Sequence, residues 1–139
     1  MRWARLAGLV VPPCAFWLVA HRHPGFARQP QIVGAGEAFA SEVQKAGGWQ
    51  AVRTGVWLDC GFIVTLTVSP GVLLARSGTP ALASFAGLAA AVDVAEDLVL
   101  LRALRDPTPT VLRGLRTTSR CKVAAYAALL GTVAWRGLR

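Results

Sequence analysis

The chain has 139 residues, of which 54% are hydrophobic and only 16% are charged. Soluble domains carry about a quarter charged residues, and here the apolar residues lie in long runs. The formal net charge of +8 comes almost entirely from arginines that flank those runs. Such flanking is typical of loops beside anionic lipid headgroups, and the basic stretch lacks the aromatic residues of a nucleic-acid-binding face. Composition therefore favours a single all-α membrane domain that covers residues 1–139, and it excludes nucleic-acid binding.

The first apolar run, at residues 3–20, follows a basic N-terminus and has two interpretations. It is an uncleaved spanning helix, or it is a cleaved signal peptide or re-entrant segment. Leu18 and Ala20 make a poor cleavage site, which favours the spanning helix. Pro12 and Pro13 predict a kink within it.

A polar stretch follows, and within it the spacing predicts a loop helix over about 36–46. Phe39, Val43 and Ala46 share one face of this helix at positions i, i+4 and i+7. The helix either lies on the membrane surface or packs against the helix bundle. Gly47 is expected to end it together with the glycine that follows.

Three further apolar runs predict spans at about 56–74, 81–101 and 122–135. The run at 56–74 would be about 28 Å long as a helix, which suits a hydrocarbon core of about 30 Å. The last run is short and depends on packing against the others. The prolines at 107 and 109 separate it from the span before. The pattern predicts a small integral membrane four-helix bundle, with three long apolar spans and a short last one.

The basic residues predict the orientation of this bundle. With four spans, ten of the fifteen Lys and Arg residues lie on one side and five on the other. The positive-inside rule then puts the loop at 102–122 in the cytoplasm and both termini outside. Without a first span the asymmetry is twelve against three. An arginine- and alanine-rich composition is typical of high-GC bacteria, which indicates the bacterial inner membrane.

Four of the seven acidic residues interrupt the apolar runs, namely Asp59, Asp93, Glu96 and Asp97. Each acid at the centre of a spanning helix costs roughly 2.5–3.5 kcal/mol, so these acids must be paired, protonated or near an interface. Antiparallel neighbouring helices would bring all four to the same side of the membrane as Lys122. Two interpretations follow: an ion-pair cluster that fixes helix register, or a proton or cation site.

Motifs for common chemistry do not occur in the sequence. It contains no phosphate-binding glycine loop, esterase elbow, zinc-protease motif or heme-attachment motif. The three cysteines, Cys14, Cys60 and Cys121, are too widely spaced to predict a disulfide framework or a metal site, and we expect small buried residues. The sequence thus predicts no enzyme, no cofactor and no metal.

Small residues recur at every fourth position of the third span, at Gly87, Ala91 and Ala95. This spacing lets another membrane helix approach closely. We therefore expect a structural or accessory membrane protein that packs onto other helices. The alternative is a small transporter or a proton- or cation-coupled component that uses the intramembrane carboxylates. A membrane enzyme using those carboxylates is a third and weaker hypothesis.

The chain from about Ile32 to Trp135 resembles a family of small uncharacterised bacterial four-helix membrane proteins. The resemblance depends on these motifs: Gly36-Glu37-Ala38, Trp57-Leu58-Asp59-x-x-Phe62-Ile63, Asp93-Val94-Ala95-Glu96-Asp97-Leu98, Leu100-Leu101-Arg102 and Arg120-x-Lys122. It implies the same four-helix membrane fold and no known activity. That family usually has asparagine where this chain has Asp97, so the present chain differs by one charge.

Overall fold

The computed structural model describes residues 2–28, 30, 38–76 and 80–137. These residues form helices and no strand, so the predicted all-α class is confirmed. Six helices have defined bounds: α1 (Arg2–Ala20), α2 (Pro24–Ala27), α3 (Phe39–Lys45), α4 (Gly48–Arg76), α5 (Pro80–Arg105) and α6 (Pro109–Gly137).

The helices are longer than the apolar runs that predicted them. α4 begins at Gly48 instead of 56, and α6 begins at Pro109 instead of 122. Only residues 106–108 separate α5 from α6, so the predicted long loop at 102–122 is wrong. Hydrophobicity marks the apolar part of a helix, whereas arginine and leucine have high helix propensity and continue the helix into polar sequence. α1 continues through both of its internal prolines.

The predicted loop helix is present as α3, within the predicted 36–46 range, of which residues 36 and 37 lie outside the described part. Phe39, Val43 and Ala46 are buried in one apolar cluster with residues of α4, α5 and α6, which supports packing against the bundle. The glycines at 47 and 48 have φ values of +94° and +87°. Only glycine adopts this left-handed backbone readily, so this pair reverses the chain between α3 and α4.

α5 lies between α4 and α6 and runs antiparallel to α6. Side-chain contacts establish the direction, since Glu96 meets Ser119 while the earlier Asp93 meets the later Tyr126. Two apolar clusters form at different levels of the bundle. One contains α3 and the adjoining parts of α4, α5 and α6, and the other consists of Ala86, Ala89 and Leu129 with their neighbours. The buried ionic residues lie between these clusters.

The short helix α2 touches the backbone of α4 at two glycines. A Cβ added to Gly25 would lie 1.9 Å from the carbonyl oxygen of Ala51, and one added to Gly55 would lie 2.5 Å from the carbonyl carbon of Gly25. No larger residue fits at either position without moving a backbone. This contact seats Phe26 against Phe62, with their ring centroids 5.9 Å apart.

One helix among the described residues, Gly48–Val68, is long and apolar enough to cross a membrane, and Val11–Ala20 is a shorter apolar helix. α5 is not apolar enough because of its three acids, and α6 is not because its apolar part is short and follows basic residues.

The charged side chains of these two helices point in two directions. The three acids of α5 and Lys122 are buried, whereas the arginines at 102, 105, 113, 116 and 120 are exposed.

Candidate functional site: a buried ionic cluster

The five predicted charged residues come together in the interior. α4 contributes Asp59, α5 contributes Asp93, Glu96 and Asp97, and α6 contributes Lys122. Their exposed fractions are 5%, 1%, 0%, 3% and 9% in that order. On α5 the three acids are spaced i, i+3 and i+4, which puts them on one side of the helix. We call these five residues the ionic cluster.

Three carboxylates from two helices surround the ammonium group of Lys122. Its Nζ lies 3.0 Å from Asp59 Oδ2, 2.5 Å from Asp93 Oδ1 and 2.8 Å from Glu96 Oε2. The contacts with Asp59 and Glu96 are hydrogen bonds that Lys122 donates, and the contact with Asp93 Oδ1 is an ion pair. The single lysine therefore ties α6 to both α4 and α5.

Two hydroxyl groups of α6 complete this arrangement. Ser119 donates a hydrogen bond to Glu96 Oε1, and Tyr126 donates one of 2.6 Å to Asp93 Oδ2. These residues lie three positions before and four positions after Lys122, so all three share one face of α6. The sequence prediction missed both. Helical spacing already puts Tyr126 beside Lys122 within the predicted span at 122–135, and it would have revealed Ser119 if the helix had been expected to begin earlier.

Asp97 lies apart from the lysine and its three carboxylates. Its described contact is with Cys60, whose thiol is 3.8 Å from Asp97 Oδ2. The other carboxyl oxygen, Oδ1, is buried and has no hydrogen-bond partner. Asp97 and Asp59 also line a small cavity between α2, α4 and α5, with Gly25, Phe26, Val52, Gly55, Val56 and Leu100 forming the rest of its wall.

Oxygen atoms of Asp59, Asp93 and Glu96 all lie within 4.8 Å of one another, a spacing that could suit a metal ion. The ammonium group of Lys122 contacts all three, however, and supplies the positive charge that a metal would bring. The arrangement is thus an ion-pair cage for a lysine. The expectation that the acids pair with Lys122 holds for three of the four.

The ionic cluster lies just inside a boundary that three helices share. On each helix, exposed arginine gives way within a few residues to an exposed apolar side chain: Arg53 to Trp57 on α4, Arg102 to Leu98 on α5 and Arg120 to Val123 on α6. The four acids lie within about two turns of this change on its apolar side, and Lys122 lies at the change itself. Asp59 and Lys122 lie well inside their helices, whereas the predicted spans at 56–74 and 122–135 put them close to a helix start, and those predicted starts are wrong.

Two other predictions about side chains have different outcomes. Cys14 and Cys121 are exposed, so the expectation of buried cysteines is wrong for these two residues, and Cys60 is half-buried. The stripe Gly87, Ala91 and Ala95 is exposed on α5. The small residues of α5 that pack inside the bundle are instead those at 86, 89 and 103. The stripe therefore faces outward, and its use as a contact surface stays a prediction.

Comparison with protein-family models, with curated proteins and with solved structures finds no match for this chain. The geometry of the ionic cluster is therefore the basis for inferring its function.

Proposed function

We propose that this chain is a multi-pass integral protein of the bacterial inner membrane, in which the ionic cluster fixes the packing of the spanning helices. Its role is structural or accessory to other membrane proteins. The observation that carries this proposal is an inverted distribution of side chains: the charges of α4 and α5 nearest the middle of the bundle are buried, while large apolar side chains face outward.

The outward apolar surface extends over four helices. Exposed side chains include Leu18 and Val19 on α1, Trp57, Val64 and Val68 on α4, Leu88 and Leu98 on α5, and Val123, Leu130 and Trp135 on α6. Single exposed apolar residues are normal on soluble proteins, but a continuous apolar surface marks a contact with lipid or another protein. Because exposed apolar side chains occur on all four of the long helices, lipid is the partner that fits them best.

Helix lengths agree with this arrangement. α5 has 26 residues and is about 39 Å long at roughly 1.5 Å per residue, whereas a hydrocarbon core is about 30 Å thick. The excess corresponds to the end that carries Arg102 and Arg105. α4 and α6 have 29 residues each and also extend past the same boundary with exposed arginines. By the positive-inside rule, this arginine-bearing end is the cytoplasmic one.

The ionic cluster supports a structural role because its contacts need one particular packing of the helices. Lys122 meets its three carboxylates only if α4, α5 and α6 keep their present register. A buried charge left without its partner is strongly destabilising, so other registers are disfavoured. The outward stripe at Gly87, Ala91 and Ala95 then remains available for a helix of another membrane protein.

Membrane fractionation tests this proposal. Cells expressing the chain are lysed, and the membranes are washed with alkaline carbonate and then with urea. We expect the chain to stay in the sedimented membranes after both washes and to be released only by detergent, because its apolar surface is immersed in lipid. Recovery of the folded chain as a soluble monomer without detergent would contradict the proposal.

A further inference from the structure

Asp97 is the member of the ionic cluster whose charge is not balanced by a direct contact. Lys122 brings one positive charge to four carboxyl groups and already contacts the other three. Asp97 is only 3% exposed, and the Cys60 thiol at its Oδ2 is a weak donor. A buried carboxylate without a charged partner is so unfavourable that such groups are usually neutral.

A space that can hold water lies beside Asp97. Asp97 lines the cavity between α2, α4 and α5, and this cavity has room for a water molecule. The wall residues at 25, 52 and 55 precede Asp59 on the chain, and Leu100 follows Asp97. The cavity therefore extends from the ionic cluster toward the arginine-bearing end of the bundle.

We infer that Asp97 is a proton-exchange site: its carboxyl group carries a proton at neutral pH and exchanges it through water in this cavity. A proton needs only one free carboxyl oxygen, which Asp97 Oδ1 provides. Metal cations need several oxygen ligands around them, and six of the eight residues that line the cavity are glycine or apolar. The ligand that fits this site is therefore the proton.

The groups that face Asp97 explain why it differs from the other acids. The titratable groups nearest to Asp97 are Asp59 and Cys60 on α4, Asp93 and Glu96 on α5, and Lys122 on α6, which does not contact it directly. α2 contributes Gly25 and Phe26, which do not titrate. Lys122 contacts the other three acids directly, whereas Asp97 has further carboxyl groups around it and, among the described residues, no cation in direct contact. Proton exchange goes beyond the structural role, and it is the step that a proton-coupled component would require.

Carbon-13 NMR of the full chain in detergent micelles tests this inference. The chain contains only four aspartates, at 59, 93, 97 and 106, so labelling aspartate at its carboxyl carbon gives four signals. Asp97→Asn identifies the Asp97 signal, and Asp106→Asn, a change at an exposed residue between α5 and α6, is the matched control. If Asp97→Asn does not fold, Asp97→Glu removes the same signal while keeping a carboxyl group.

We expect the Asp97 signal to have the chemical shift of a protonated carboxyl group at neutral pH, and Asp106→Asn should leave that signal unchanged. It should move to the ionised position as the pH is raised, and exchanging sodium for potassium at constant ionic strength should not affect it. An Asp97 signal that is ionised at neutral pH overturns the inference. So does a signal that responds to sodium, because the site would then bind a metal cation. Neither result depends on whether the chain stays in carbonate-washed membranes.

Discussion

Replacing Lys122 with methionine is expected to destabilise the folded chain by about 3–5 kcal/mol, because it leaves buried carboxylates without their counter-charge. Methionine keeps most of the side-chain length, so the effect is mainly that of the lost ammonium group. Chemical unfolding in detergent micelles, followed by circular dichroism, measures the change. Lys45→Met is the control: Lys45 forms an exposed i, i+3 pair with Glu42, and its loss should change the stability by less than about 1 kcal/mol.

A second measurement on the same variant distinguishes the effect of the lost charge on stability from the effect of the changed side-chain shape. If the loss arises from unpaired carboxylates, adding Asp93→Asn and Glu96→Gln to Lys122→Met should recover a large part of it. Asp59→Asn alone should be milder than Lys122→Met, because two carboxylates still hold the lysine. If Lys122→Met is as stable as the unchanged chain, the three ion pairs do not hold the helices together.

Replacing Gly25 with alanine is expected to cost about 3 kcal/mol or more, at the upper end of overpacking effects. The new Cβ would lie 1.9 Å from a backbone oxygen of α4, and a backbone cannot give way as a flexible side chain can. α2 must then move from α4 and carry Phe26, now 3% exposed, out of its contact with Phe62. Unfolding in detergent measures the cost, and protease sensitivity of α2 measures its displacement.

Gly87→Ala is the matched control for this change. Gly87 also lies within a helix, but a Cβ added there meets nothing within 4 Å. Alanine is the better helix former, so this variant should be unchanged or more stable by up to about 1 kcal/mol. Equal stability of the two alanine variants would contradict the close contact between the backbones of α2 and α4.

The sequence could predict the helical class and the meeting of the acids with Lys122, because both depend on simple regularities. Long apolar runs indicate helices, and successive helices that cross a membrane run antiparallel. Acids near the end of one run then lie beside residues near the start of the next. This reasoning does not require the true helix ends, and it brought Asp59, Asp93, Glu96 and Lys122 together despite errors in those ends.

The separation of Asp97 from Lys122 could not be predicted in this way. Glu96 and Asp97 are adjacent on α5, so their side chains point about 100° apart around the helix axis. Glu96 meets α6, whereas Asp97 meets Cys60 on α4. Which of the two faces the lysine depends on how α5 is rotated between its neighbours. Tertiary packing sets that rotation, and local sequence does not encode it.

The measurement that tests the membrane proposal most directly compares two positions on α6 in intact membranes. Arg113 and Leu130 are both exposed, Leu130 to 51%, but they lie on opposite sides of the boundary that follows Arg120. Each is changed to cysteine in a chain whose three natural cysteines are serine, and membranes are treated from the arginine-bearing side with a charged maleimide. We predict labelling at 113 and protection at 130, with both positions labelled after denaturation in detergent. Equal labelling of the two positions in intact membranes would contradict a membrane-embedded α6.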